Sequence, residues 1–146
     1  MSANLFHSYT SGDLPFDCCW RGRCGGRTWQ PLVDVIVRNG SYESRRIRAL
    51  IDSGSAITLF DTSICESLDI NLKSCQTGMV GGIGGAKAIE VYYHDVHLKI
   101  SGQSIKTFVG FSKDLPVSAL LGRHGFFEHF IVTFHAGRAG VVLEKA

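Results

Sequence analysis

Strong charge is missing from this chain. Lys and Arg total 15 against 13 Asp and Glu, for a formal net charge of +2. A nucleic-acid binder would show a basic stripe, so that class is disfavoured. The local clusters Arg21, Arg23, Arg27 and Arg45, Arg46, Arg48 read as solvated faces. Long apolar runs are missing too. None approaches the roughly 20 residues of a membrane helix. The start "MSANLFHSYTSGDLPF" lacks the basic opening and apolar core of an export signal. A soluble, cytoplasmic chain is expected. The five cysteines include no CxxC pair, and no histidine stands at finger spacing. Cys18, Cys19 and Cys24 are therefore read as free thiols on a mobile segment, not a zinc site. His94 and His97 stand an odd number apart on a strand-like stretch, so they face opposite ways and make poor joint ligands. No metal and no organic cofactor is expected.

What is present is strand-like sequence, enough for one domain. The chain has 146 residues and is 45% hydrophobic, which suits a single packed core. Residues 1–28 are polar and glycine-rich with little periodicity, and read as a partly flexible N-terminal arm. Residues 29–146 read as the folded domain. "PLVDVIV" alternates, "RNGSYES" supplies turn residues, and "RRIRALI" returns as the second strand of a hairpin. "DTSICESLDI" suits a short helical turn capped by Asp61 or Thr62. The stretch from Gly78 to Ile100 reads as a second hairpin with a glycine-rich tip. "GQSIKTFVGF" and "VSALLG" add strands. "RHGFFEHF" places Phe126, Phe127 and Phe130 at helical spacing and predicts a short helix packed on the core. "FIVTF" and "AGVVLEK" make a last strand pair around "HAGRAG". Many short strands with regular turns predict an all-β barrel or sandwich.

Three stretches carry chemistry. The first is Asp52-Ser53-Gly54-Ser55, at the end of the apolar run Ala49-Leu50-Ile51. Alone it is an ordinary Asx turn. Yet a carboxylate ending a buried strand is costly unless it is hydrogen-bonded or used. The second is "GMVGGIGG", residues 78–85, with five glycines in eight positions. It fits neither GxGxxG nor GxxxxGK[ST], and no strand–loop–helix unit surrounds it, so a nucleotide-binding domain is a distant reading. A loose turn and a bending hairpin tip both remain open. The third is Leu120-Leu121-Gly122-Arg123, an apolar strand ending in a glycine and a cation.

In this order and spacing the three resemble the retropepsin-like aspartic proteases, from about Trp29 to Phe134. "ALIDSGSAITLF" is similar to the catalytic loop, "MVGGIGG" to the flap, and "LLGRHGFF" to the strand and helix that follow. The resemblance implies a closed β-barrel or sandwich with one short C-terminal helix and a glycine-rich flap hairpin. It implies an aspartic endopeptidase that hydrolyses peptide bonds as a C2 homodimer. With one DSG per chain, the second carboxylate comes from a second copy. By the same resemblance Asp52 is catalytic, Ser53 bonds across the two loops, Gly54 packs against the dyad, and Ser55 hydrogen-bonds the outer carboxylate oxygen. Val80, Gly81, Gly82, Ile83 and Gly84 would cover an extended peptide. Ile57, Pro116, Val117 and Leu120 are pocket candidates, with plain core as their other reading. Gly122 and Arg123 support the site.

Two positions depart from the retroviral pattern. Ala56 stands where those proteins usually carry an aspartate, and His124 where an Asp or Asn often follows the arginine. Both put the partner of Arg123 in question. The expected partners are a second copy and a peptide or protein substrate, with neither nucleic acid nor membrane. The main rival reading is a catalytically weak dimeric peptide-binding module on the same fold. A bacterial origin is expected, because Met1 opens the chain and "GFFEHFIVTF" resembles cellular members.

Overall fold

Alternation sets the first hairpin. In β4 (Leu32–Asn39) Val33, Val35 and Val37 point into the core while their neighbours face out. The chain turns at Gly40 (φ +60°) into β5 (Tyr42–Glu43) and then enters β6 (Ile47–Ile51), which buries Ile47, Ala49 and Ile51. Buried Ser44 stitches the corner: its Oγ accepts from the Val37 N–H at 2.9 Å and donates to the Arg45 carbonyl at 2.7 Å. This computed structural model describes residues 5–8, 10–13, 27–81, 87–135 and 140–146.

The remaining strands close a barrel. β7 (Leu59–Asp61) is followed by a 3₁₀ turn over Thr62–Ile64, capped by the Asp61 side chain, and a second over Leu72–Ser74. Then come β8 (Gln76–Val80), β9 (Ile89–Ile100), β10 (Gln103–Ser112) and β11 (Ala119–Leu121). The order β4-β6-β11-β7-β10-β9 returns to β4 through a β4–β9 pairing, so the six strands have no free edge between them. The pairs β11–β6 and β10–β7 are parallel; the others in the ring are antiparallel. Phe60, Phe111, Phe126, Leu68, Leu98 and Leu121 fill the interior.

The helix expected over 123–130 is instead a run of turns. His124 is bridged to Ile57 in parallel fashion, and Gly125 takes φ +91°, which breaks a helical path at its start. The Phe127 and Glu128 N–H groups reach back to the carbonyls of Gly122 and Arg123, and His129 to Phe126. Phe126 and Phe130 are still buried, with ring centroids 5.1 Å apart; Phe127 is half-buried and meets Phe126 edge-on.

A smaller sheet uses the chain ends. β12 (Phe130–His135) pairs antiparallel with β13 (Gly140–Lys145), as their sequences predict. On the other side of β13 lies β1 (Leu5–Ser8), drawn from the N-terminal arm. β2 (Thr10–Asp13) and β3 (Arg27–Gln30) form a separate antiparallel pair. Cys18, Cys19 and Cys24 lie outside the described residues.

Candidate active site

The Asp52 loop is held from below by backbone. β6 ends at Ile51, and the Asp52 N–H donates to the Leu121 carbonyl of β11 at 3.0 Å. The Ser55 N–H returns to the Asp52 carbonyl at 3.1 Å, closing the turn. One carboxylate oxygen, Oδ1, accepts from the Gly54 N–H at 2.9 Å. This is the Asx turn seen in the sequence, and it fixes the carboxylate against its own loop. The resemblance implied that Ser55 bonds the outer oxygen of the Asp52 carboxylate, but its hydroxyl is turned to another partner. It donates to the Ile57 carbonyl at 2.7 Å and braces the next step of the loop. Ser53 is exposed.

A second segment runs alongside. The Arg123 N–H donates to the Ser55 carbonyl and the His124 N–H to the Ala56 carbonyl, both at 3.0 Å. The Thr58 N–H returns to the His124 carbonyl at 2.8 Å. Gly122 is where the two segments touch. A Cβ there would lie 2.4 Å from the Ile57 carbonyl oxygen, so only glycine fits without a shift. The Gly122 N–H finds the hydroxyl of fully buried Thr58 at 3.0 Å. Thr58 was not singled out from sequence. A lone hydroxyl inside the apolar run "ITLF" was the available signal, because a buried hydroxyl demands a partner.

Above this floor lies a cleft of about 700 Å³. Asp52, Gly54, Ser55 and Ala56 form one wall, and Val80 and Gly81 from the end of the β8 hairpin form another. Pro116 and Leu120 line it as expected candidates, and Arg123 reaches it too. Leu59, Ile89, Leu115 and Lys87 also line it and were not anticipated. Ile89 was within reach, because Val80 and Ile89 are register partners. Two candidates lie elsewhere. Val117 lines a separate cavity of about 280 Å³ beside Arg45 and Asp61. Ile57 is buried and lines a neighbouring cavity of about 520 Å³ with Tyr93 and Phe108. Gly82, Ile83 and Gly84 fall outside the described residues.

His124, at the position where the retroviral pattern often has an Asp or Asn, pairs within its own segment. Its Nδ1 lies 2.6 Å from Glu128 Oε1, and Glu128 Oε2 accepts from the Gly125 N–H at 3.1 Å. That backbone donor, then the His124 contact, holds the Glu128 carboxyl below its usual range. The Arg123 guanidinium has no carboxylate within 4.0 Å among the described residues. No group of metal-binding side chains assembles among them either.

The aspartyl protease family profile matches residues 33–124, which include the Asp52 loop, the β8 hairpin and the Gly122-Arg123 strand end. The chain belongs to the aspartyl proteases. Its fold is retropepsin-like. The EIAV protease complexed with the inhibitor HBY-793 is 26% identical, covers 64% of this chain and 82% of its own, and superposes with a TM-score of 0.50. A retropepsin-like aspartic protease from Rickettsia conorii covers 77% of this chain and 89% of its own, at 15% identity and a TM-score of 0.56. The retroviral protease-like domain of Ddi1 from Leishmania major covers 69% and 80%, at 15% identity and a TM-score of 0.50. At 15% identity these last two speak for the fold alone. No curated protein matches the chain. Within this aspartyl protease domain no helix is long and apolar enough to cross a membrane, among the described residues.

Proposed function

We propose that the protein is an aspartic endopeptidase whose working unit is a two-fold homodimer. One observation carries the reading. Asp52 is the single carboxylate among the described residues that line the cleft. Amide hydrolysis by this chemistry needs two: one to take a proton from water, one to give a proton to the scissile carbonyl. A second copy turned about a two-fold axis supplies the other Asp52.

The loop is suited to that role. Two carboxylates a few ångströms apart cannot both ionise freely, so they share one proton. The proton-free partner acts on the water and the protonated one polarises the carbonyl. The Gly54 N–H on Oδ1 restrains the carboxylate, so the pair is oriented before substrate arrives. The β8–β9 hairpin would close over an extended peptide as a flap, with Val80 and Gly81 at its described end. Apolar walls from Leu59, Ile89 and Leu120 would take up side chains of the peptide.

The test is cleavage of a diverse peptide library by the parent and by Asp52→Asn over a range of pH. The parent should cut best on the acid side, and activity should fall as both carboxylates ionise. A folded Asp52→Asn protein that cuts at the parent's rate would sink the assignment.

A further inference from the structure

The Asp52 cleft holds two positive charges besides its carboxylate. Lys87 precedes β9 and Arg123 follows β11, and both line the cleft. They come from opposite sides of the ring, Arg123 just beyond β11 and Lys87 on the β8–β9 hairpin just ahead of β9. Neither makes an ion pair with a carboxylate of the described residues. The acids that do pair are committed elsewhere: Asp34 to Arg46 and Arg48, Glu43 to Arg38, Glu128 to His124. Beside the two cations the walls are apolar, from Leu59, Val80, Ile89 and Leu115. Once a peptide covers these walls, less solvent screens a cation–anion pair than in open water.

We propose that Lys87 and Arg123 form a cationic subsite that recognises an acidic side chain of a peptide bound in this cleft. The inference rests on the protease reading for its ligand, and it names the substrate class. Arg123 offers paired N–H donors that match a carboxylate, and Lys87 offers a mobile point charge. An acidic side chain near the scissile bond would otherwise be repelled by Asp52. In a homodimer the dyad sharing one proton carries one negative charge, while each chain contributes two cations. The balance in the cleft then favours an acid over its amide.

The experiment uses synthetic apolar octapeptides in which Glu, Gln or Lys is scanned along the positions. Binding is followed by fluorescence anisotropy on the parent and on Asp52→Asn, and cleavage on the parent. At low salt, Glu should be preferred over Gln by about tenfold at one or more positions, the size expected of a charge-assisted contact. Both cations are exposed, so the preference should shrink in about 0.5 M salt. Lys87→Gln and Arg123→Gln should each lower the ratio, and Lys87→Glu should shift it toward the Lys peptides. Should Arg123→Gln fail to fold, the two Lys87 variants still decide. Equal binding of Glu and Gln peptides at every position would overturn the subsite. So would a preference that survives in both Gln variants. Acid-selective binding without cleavage would keep the subsite and sink the protease reading. Cleavage without acid preference would do the reverse. No binding of any peptide would sink both.

Discussion

Asp52 ends a buried strand without being buried itself, and that position answers its cost. Its backbone is tied to β11 and its Oδ1 to Gly54, and the residue lines the cleft. Asp52→Asn keeps an oxygen for the Gly54 N–H, so the fold should persist, while cleavage should drop by about a thousandfold or more as base and shared proton are lost together. A pH–rate profile with a parallel melting curve checks both halves. Gly122→Ala is the converse. Its Cβ would press on the Ile57 carbonyl at 2.4 Å, and the loss should be about 1–3 kcal/mol in denaturant unfolding. Thr58→Val keeps the volume but strands the Gly122 N–H, at a similar cost of about 1–3 kcal/mol. Cys65 illustrates a silent residue: burial pushes its thiol up to about 12, so it should resist alkylation at neutral pH until the protein unfolds. At this scale Asp52, Gly54 and Gly122 were legible because their residue types are costly or unusual where they stand. Thr58 carried only its lone hydroxyl as a signal and Lys87 none, since each matters through a segment far away in sequence.

Elements were readable in proportion to how local their pairing is. The β4–β6 and β12–β13 hairpins join neighbours across turn residues, and alternation alone found them. The parallel contacts of β11 with β6 and β10 with β7 leave no such mark, yet they seat Gly122 against Ile57. The 123–130 segment misled for a related reason. Its phenylalanine spacing suits a helix, but Gly125 and the His124–Ile57 bridge commit the backbone first. β1 was hidden because four residues show no period, and its hold is tertiary: His7 Nε2 shares a hydrogen bond with Ser101 Oγ at 2.6 Å. Burial lowers the His7 pKa below 6.5, opposed by Asp34, and Arg48 lines the same cavity. The folded state therefore prefers neutral His7. Its contribution is complete above pH 6.5 and is lost as pH falls through the lowered folded value. Amide exchange in β1 and β13 should accelerate on acidification, relative to the barrel strands. His7→Gln should flatten that dependence, and an unchanged profile would show that His7 is not the group responsible.

In the proposed dimer each chain gives half of an active site, and the β1-β13-β12 sheet ends on both sides in a strand with no further partner among the described residues. In the β1-β13-β12 sheet, β1 and β12 lie at the edges, and Ile131 and Phe134 are exposed on β12. An edge strand with exposed apolar side chains invites another chain. The sheet is thus a candidate for the contact between two copies that the proposed shared-carboxylate mechanism needs. In the sequence "FIVTF" and "AGVVLEK" read only as a strand pair, because strand pairing between chains has no signature within one chain. If activity belongs to the dimer, specific activity should be constant at high concentration and fall on dilution, as the dimer population falls. Sedimentation velocity over the same series gives the dimer fraction, and the two curves should superimpose. Ile131→Asp should move both curves to higher concentration together by about tenfold or more, since a charge at such a contact must be desolvated or must disrupt it. Melting of the variant at high concentration separates that effect from misfolding. Activity that stays constant per chain through a range where only monomer sediments would show that one Asp52 suffices, and the shared-carboxylate mechanism would have to be abandoned. Loss of activity with the dimer intact in Ile131→Asp would instead move the contact off this sheet while leaving the dyad in place.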